Sequence, residues 1–500
     1  MTTAHDLLVD PILSWRDRTR RRAKTTLPGV LARLASGDLE DFPRVRTHQL
    51  DPWCMFLTQL AAIALRRAGE SDPRISEERW REMLLALTDG DHDAWSLAVE
   101  DLSQPAFFQP PVPERRIENW TAYACPDDID VLATAKAHDV KRQVLDGGDV
   151  EAWVYAIVTL QTMQGVYGAG KYGIARMKGG YACRPRVGLA ADETLRARFR
   201  RDVQVLLSSW PGVLEAHGYR EDGVALVWAQ PWDGTASLQP ADLTPHFIEI
   251  CRRLRCRTAT TGLECLDTTS RTRRCLAATK DGDVGDPWLP IQRSGGALNI
   301  RQRGFRYQMI AELLSESEYE PSAAQRLRPA DGDPMVFTAS ALARGEGGTD
   351  GLHSRTLVLT GSVRRKLGEP DGRATLGRRA TERIAAAATM RQRVLYRSLQ
   401  KLTPGHHPIP DSFDACIDEM FFDHLFATLD IAEEDARLAF EALLAELAWR
   451  ELQKAINRAP GSDARKLKAI SDAERMFLFC VRKRFPDAAG LQTVSEGAPA

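Results

Sequence analysis

The residues with the clearest chemical pattern lie between Gly165 and Gly180, in the stretch GVYGAGKYGIARMKGG. Gly168-x-Gly170-x-x-Gly173 has the spacing of a dinucleotide fingerprint. The same stretch, read from its first glycine to Lys171, nearly matches a phosphate-binding loop. Both motifs need a strand before the loop and a helix after it, so the flanking elements decide whether either applies.

Those flanking elements do not fit a nucleotide site. Asp149–Gln164 has apolar residues at three- and four-residue steps, which predicts a helix that Asp149 caps and Gly165 ends. Tyr172 replaces the Ser or Thr that would hold magnesium, and nothing after it indicates a helix. We therefore disfavour a nucleotide pocket, and keep a nucleotide-dependent enzyme using Gly165–Lys171 as the alternative hypothesis.

The charge of this region points to a different ligand. No Asp or Glu occurs from Ala152 to Ala191, whereas five basic residues do: Lys171, Arg176, Lys178, Arg184 and Arg186. Glycines let a backbone approach a ligand closely, and unpaired basic side chains suit phosphate. Two interpretations stay open here, a mobile surface loop with solvated charges and a nucleic-acid contact. Residues 252–306 add twelve Lys or Arg against five Asp or Glu, which predicts a basic surface that contains β-strands.

The length, net charge, apolar runs and cysteine content of the chain limit the class of protein to which it can belong. Five hundred residues predict two or more domains, and a net charge of −1 means that a polyanion must be met by local patches. No apolar run is long enough for a membrane helix, and the first residues lack the order of a signal peptide. Nine scattered cysteines do not resemble a disulfide framework or a zinc site, and we expect buried or unpaired thiols in a reducing cytoplasm.

The predicted elements give an α+β fold. Asp51 is predicted to cap a buried helix that ends at Gly69, and Ala343–Thr356 is predicted to be a glycine-rich loop between two strands. Beyond a linker at Gly361–Arg373, four amphipathic blocks predict an antiparallel helical bundle. We therefore expect a large mixed α/β N-terminal domain with many loops, residues 1–365, and a C-terminal four-helix bundle, residues 374–488.

No set of catalytic residues stands out in the sequence. Nucleophile, zinc-protease and kinase motifs are all missing, and we predict no enzyme activity, no cofactor and no bound metal. Several separated cationic surfaces on one chain fit a large polyanion better than a small ligand.

The order of several short motifs carries a family resemblance over nearly the whole chain. None is specific alone, but together, ahead of four C-terminal helices, they form a specific series: LLVDPILSW, FPRVRTHQLDPWCMFLTQLAAIAL, TAKAHDVKR, YAIVTLQTMQGVYGAGKYGIARMKGG, GDPWLPI, RGFRYQMIAELL and RGEGGTDGLHSRT. In this series the chain resembles CasA, the large subunit of the type I-E CRISPR Cascade surveillance complex.

The resemblance implies a cytoplasmic, non-catalytic subunit of a ribonucleoprotein. Such a subunit recognises the protospacer-adjacent motif in double-stranded DNA and helps to open the duplex for guide pairing and R-loop formation. It also docks a helicase-nuclease for antiviral defence. The implied partners are the target duplex, the guide RNA, and the backbone and small subunits of Cascade, with no membrane. Base pairing would read the sequence while protein reads a short motif and DNA shape.

The resemblance also assigns site residues. The minor-groove loop and strand-separating wedge match Gly347, Gly348, Thr349 and Asp350, where some relatives carry Gln and Asn. The minor-groove lysine matches Lys280. A loop that settles against the complex and the DNA matches Lys136, His138, Lys141 and Arg142. The glycine segment near the incoming duplex matches Gly168, Gly170, Lys171 and Gly173.

Overall fold

The computed structural model describes residues 5–132, 149–260, 262–276, 281–345, 348–402, 411–459 and 464–487. The chain divides into two compact units. The first comprises Met1–Phe305 and Glu318–Thr360, and the second Arg306–Ser317 and Gly361–Ala500. The α+β class predicted from the sequence is confirmed.

The first unit combines helices with small sheets. Its helices are α1 (Leu27–Ser36), α2 (Thr47–Ala68), α3 (Glu77–Ala86), α4 (Val150–Met163) and α5 (Leu195–His217). Its strands are β1 (Leu13–Arg16), β2 (Arg22–Thr25), β3 (Thr121–Tyr123), β4 (Arg186–Ala190), β5 (Val224–Leu226), β6 (Leu243–Ile248), β7 (Arg253–Ala259), β8 (Gly262–Thr268), β9 (Ile291–Gln292), β10 (Tyr319–Glu320), β11 (Met335–Gly345) and β12 (Gly348–Leu359).

Two three-stranded sheets position the candidate site. One has the order β12-β11-β4 and the other β3-β8-β7, with antiparallel neighbours throughout. The hairpin β11–β12 is long, and its register shifts between Ala343 and Arg344, close to the turn. Two strands joined by a hairpin are confirmed here, but the long loop predicted at Ala343–Thr356 is wrong, because β11 continues to Gly345 and β12 begins at Gly348.

Helices α2 and α4 lie in the core of the first unit. Trp53 and Tyr155 pack edge to face with ring centroids 5.1 Å apart, and both rings are buried. Asp149 accepts a hydrogen bond from the backbone N–H of Glu151, as the predicted cap of α4 requires. Because α4 is buried on nearly every side, it gives a rigid support to the segment that follows Met163.

The start of α2 differs from the prediction. The helix begins at Thr47, so Asp51 lies inside it and does not cap it. Its carboxylate accepts hydrogen bonds from Arg186 Nη1, at 3.0 Å, and from the Ser340 hydroxyl. A carboxylate can cap a helix or form an ion pair, and the local sequence does not distinguish these roles. In this fold, contacts with the neighbouring sheet give Asp51 the second role.

One cysteine prediction is wrong. Cys256 and Cys265 are direct register partners on β7 and β8, and they form a disulfide. These two cysteines are nine positions apart in the sequence, and the pairing of the strands brings them opposite each other. The other described cysteines carry free thiols.

The second unit is helical. It consists of α6 (Tyr307–Ser315), α7 (Gly361–Gly368), α8 (Pro370–Thr389), a π-helical turn at Met390–Leu395, α9 (Tyr396–Leu402), α10 (Asp411–Ala427), α11 (Glu433–Arg458) and α12 (Ala464–Arg484). Phe421 and Phe440 pack edge to face in its core, with centroids 5.9 Å apart. Helix α6 groups with this unit although it precedes the hairpin, which the sequence pattern did not indicate.

Candidate nucleic-acid interface

The glycine segment, Gly165–Gly180, follows directly on α4 and folds back on itself. The Val166 N–H donates to the carbonyl of Gly180 at 2.9 Å, which joins the two ends of the segment. A Cβ atom on Gly173 would lie 2.6 Å from the Cα atom of Gly165. Gly173, the third glycine of the motif that resembles a dinucleotide fingerprint, is therefore needed because two parts of the chain pass close together there.

Lys171 connects the glycine segment to the sheet β3-β8-β7 through an ion pair. Its ammonium lies 2.7 and 3.1 Å from the two carboxylate oxygens of Asp267, and 3.3 Å from the hydroxyl of Tyr123. Burial lowers the pKa of Lys171, but its hydrogen bonds to Asp267 and the charge of that carboxylate outweigh burial, and the net effect is a raised pKa. The adjacent Gly170 has φ +72°, and its carbonyl accepts from the Ser270 N–H at 2.8 Å.

The arginines of the acid-free window are also paired. Arg176 binds Glu249 at 2.7 Å, Arg184 binds Asp286 at 2.7 Å, and Arg186 binds Asp202 at 3.0 Å. All three arginines are buried. Lys178 bonds to the side-chain oxygen of Gln292 and to the carbonyl of Gly295, both at 3.1 Å. The expectation of unpaired basic side chains is wrong here because their partners come from distant parts of the chain.

The predicted basic surface at 252–306 is partly buried as well. Arg252, Arg253, Arg255 and Arg274 are all buried. Among the described residues, the acceptors of Arg255 are the backbone carbonyls of Val99, Asp101 and Gln104. These arginines hold loops together, and the prediction of a wholly exposed basic surface is wrong for them.

Arg344 joins the hairpin to the glycine segment. Its side chain leaves β11 at the register shift and donates to Gln164 Oε1 at 3.0 Å and to the carbonyl of Val166 at 3.1 Å. Burial lowers the pKa of the Arg344 guanidinium, and the positive charge of Arg252 lowers it further. The two glycine-rich loops, far apart in sequence, therefore lie side by side.

A second arginine, Arg252, also contacts the glycine segment. Arg252 donates to the carbonyl of Gly165 at 3.0 Å and to that of Tyr172. Within the described part of the chain, neither Arg252 nor Arg344 has a carboxylate partner. Both guanidinium groups instead donate to neutral carbonyl or amide oxygens.

The predicted site residues fall into three groups. Gly168, Gly170, Lys171 and Gly173 lie in the glycine segment, and Gly348, Thr349 and Asp350 form the first residues of β12. The structure brings these two groups together through Arg344. The third group, Lys136, His138, Lys141, Arg142, Lys280 and Gly347, lies outside the described residues.

The described residues contain neither a membrane-spanning helix nor a cluster of metal-binding side chains. No helix among them has the length and apolar character that a bilayer crossing requires. No three or more His, Cys, Asp or Glu side chains in the same residues are grouped so as to hold a metal ion.

Comparison with solved structures identifies the fold. CasA from Thermus thermophilus superimposes with a TM-score of 0.65 over 96% of this chain and 100% of its own, at 14% sequence identity. The chain has the CasA fold. Cse1, a CRISPR-associated protein from Acidimicrobium ferrooxidans, gives 0.62 at 14% identity, covering 97% of this chain and 99% of that one. A chain of a CRISPR RNA-guided surveillance complex gives 0.53 at 13% identity, covering 94% and 99%. No protein-family model and no curated protein sequence matches the chain.

Sequence reasoning missed the residues that hold the candidate site together. Arg344 stands directly before Gly345 in a motif singled out for its glycines, and Arg252 and Asp267 lie in the stretch described only by its net charge. The available signal was the single arginine before the glycines of the hairpin turn, Arg344. Nothing local could show which way those side chains point.

Proposed function

We propose that this chain is the non-catalytic large subunit of a type I-E Cascade complex. In this role it recognises the protospacer-adjacent motif in double-stranded DNA, helps to open the duplex for guide pairing, and docks a helicase-nuclease. The observation that carries the proposal is the placement of the hairpin turn beside the glycine segment, within a chain that matches CasA over nearly its full length.

The hairpin suits a wedge. Its two strands pair over eleven register positions, so force on the turn is resisted by a long ladder and by the Arg344 contacts. Gly348 begins β12, and Gly351 has φ +152°, a conformation that favours glycine. Inserting such a turn between base pairs costs a few kcal/mol of unstacking, which contacts with the opened strands offset. Small residues there would read the degenerate minor groove permissively.

The geometry disfavours the alternative of a nucleotide-dependent enzyme. A phosphate loop needs a lysine that is free to reach phosphates, and the Lys171 ammonium is bound to Asp267. The carbonyl of Gly170 and the hydroxyl of Tyr172 are also engaged, with the Ser270 N–H and the Arg271 carbonyl. The helix lies before the loop rather than after it.

Substitution at the hairpin turn tests this role. In the assembled complex, Gly348→Asp combined with Thr349→Ala adds a negative charge and removes a side chain at the wedge. We expect weaker binding to a motif-bearing duplex, by about tenfold, in a gel-shift assay. Asp371→Ala in the second unit is a control for a surface change elsewhere. Unchanged affinity for both motif-bearing and motif-lacking duplexes would remove the wedge assignment.

A further inference from the structure

A cavity of about 530 Å³ lies against the C-terminal half of helix α5, within the first unit. Its walls are α5 from Val205 to His217, the segment 283–291 and the segment 320–328. Because Val205 and His217 are twelve residues apart on one helix, the cavity extends for about 18 Å. Its volume lies in the range that proteins use to bind small molecules. The glycine segment and the hairpin turn do not contribute to its described lining.

Gly212 leaves the cavity open at the middle of this helix. A glycine inside a helix is destabilising relative to alanine, and the neighbouring Pro211 lacks the N–H of a helical hydrogen bond. Crowding does not explain this glycine, because a Cβ atom built on it meets no atom of another part of the chain within 4 Å. Its φ is not positive either. Without a side chain at this position, a ligand can approach the helix backbone itself.

Two arginines at one end of the cavity have no carboxylate partner among the described residues. Arg326 is exposed, and Arg328 is half-buried. The acceptor of the Arg328 guanidinium is the backbone carbonyl of Arg201 at 3.4 Å, which places this end one turn before Val205. The nearby carboxylate of Asp331 is already paired with Arg201, at 2.9 Å. Two guanidinium groups without a counter-charge on one wall suit a ligand that carries two negative charges.

The carboxylates of the lining are placed differently. Asp286 is buried and is paired with two buried arginines. Asp283 lies 3.9 Å from His217 Nε2, at the other end of the cavity. Glu320 is exposed and forms no ion pair with either cavity arginine. Between the two ends the walls carry apolar side chains: Val213, Pro287, Leu289 and Ile291.

We propose that this cavity binds a small organic phosphate, a molecule with a phosphate dianion at one end and an apolar body. The phosphate binds at Arg326 and Arg328, because guanidinium groups match phosphate oxygens with parallel hydrogen bonds. The apolar body packs on the α5 backbone at Gly212 and on the apolar side chains beyond it. This site is separate from the hairpin turn, and its occupation does not depend on the function proposed above.

Phenyl phosphate is a minimal probe, because it joins a phosphate dianion to a flat apolar ring. Titration calorimetry with the full chain should show binding at one site. We expect inorganic phosphate, which lacks the ring, and benzoate, which has a single charge, each to bind about tenfold more weakly. Arg326→Gln with Arg328→Gln should weaken the binding of phenyl phosphate about tenfold or more. Arg220→Gln, which changes an exposed arginine outside the cavity lining, should leave it unchanged.

Variants of Gly212 separate binding from folding. Gly212→Leu places a side chain in the cavity where a Cβ atom meets no clash, so it should abolish binding while Tm stays at or above that of wild type. Gly212→Ala should raise Tm and leave room for the probe. Absence of phenyl phosphate binding, equal affinity for inorganic phosphate, or glutamine and leucine variants that bind like wild type would each overturn the proposal. Release of the probe by a DNA duplex would also overturn it, because the arginines would then serve nucleic acid.

Discussion

At the residue scale, the basic side chains fall into two groups, those that form structural contacts and those that are exposed. The arginines of the glycine region are buried and paired, as Arg176 is with Glu249, and the half-buried Lys171 is paired with Asp267. They build the local structure and are not free for phosphate. Only cations that keep both exposure and freedom from carboxylates, such as Arg301 and Arg303, suit a polyanion directly.

The ion pair of Lys171 gives a stability prediction. Lys171→Ala leaves the buried Asp267 carboxylate without its ammonium, and should lower the free energy of unfolding by about 1–3 kcal/mol in urea denaturation. Lys171→Ala with Asp267→Asn should cost less than the sum of the single changes. Arg220→Ala, which breaks an exposed pair with Asp222, should have little effect.

The same variant addresses the nucleotide hypothesis. We expect no binding of ATP with magnesium by the wild-type chain in equilibrium dialysis. Measurable binding that Lys171→Ala abolishes would contradict the structural role given to this lysine.

At the element scale, the hairpin and the glycine segment act as one unit because Arg344 joins them. Helix α4 ends at Met163, and the glycine segment begins two residues later. Arg344, on β11, donates hydrogen bonds to Gln164 and Val166. A planar guanidinium with several donors can serve both acceptors at once, which an ammonium cannot do with the same geometry. We therefore expect the position of the hairpin turn, the proposed wedge, to depend on Arg344.

Substitution of Arg344 tests this dependence. Arg344→Met should leave one buried oxygen, that of Gln164, and one half-buried oxygen, that of Val166, without this donor. We expect it to raise amide hydrogen exchange in β12 near the turn and to lower duplex affinity of the complex about tenfold. Arg344→Lys keeps the charge and should recover only part of the affinity. Exchange and affinity equal to wild type in both variants would show that the hairpin is held without this contact.

The elements also show what sequence alone can predict. Helix α4, the hairpin and the C-terminal helices follow from periodicity, caps and glycine turns, which act over a few residues. The pairing of Arg344 with Gln164, of Lys171 with Asp267, and of Cys256 with Cys265 depends on register and chain crossing. Asp51 illustrates the limit, because the local pattern predicts a cap and the fold uses the carboxylate for Arg186.

At the scale of the whole molecule, the likeness to a CasA structure over 96% of the chain shows the fold, and the role stays a proposal. The proposed role would need a rigid scaffold, a wedge and cationic surfaces, and the first unit contains the hairpin and the glycine segment proposed for it. The described residues of the second unit form a helical body with its own aromatic core around Phe421 and Phe440. Its role in contacting other subunits stays a prediction.

The most direct measurement compares Cascade assembled with and without this chain. The chain would be co-expressed with the backbone and small subunits of a type I-E Cascade and a guide RNA, and binding to a matching duplex would be measured with and without the adjacent motif. We predict that the chain co-purifies with the complex and that motif-dependent binding requires it. A complex that excludes the chain, or that binds motif-bearing duplex equally well without it, would contradict the account.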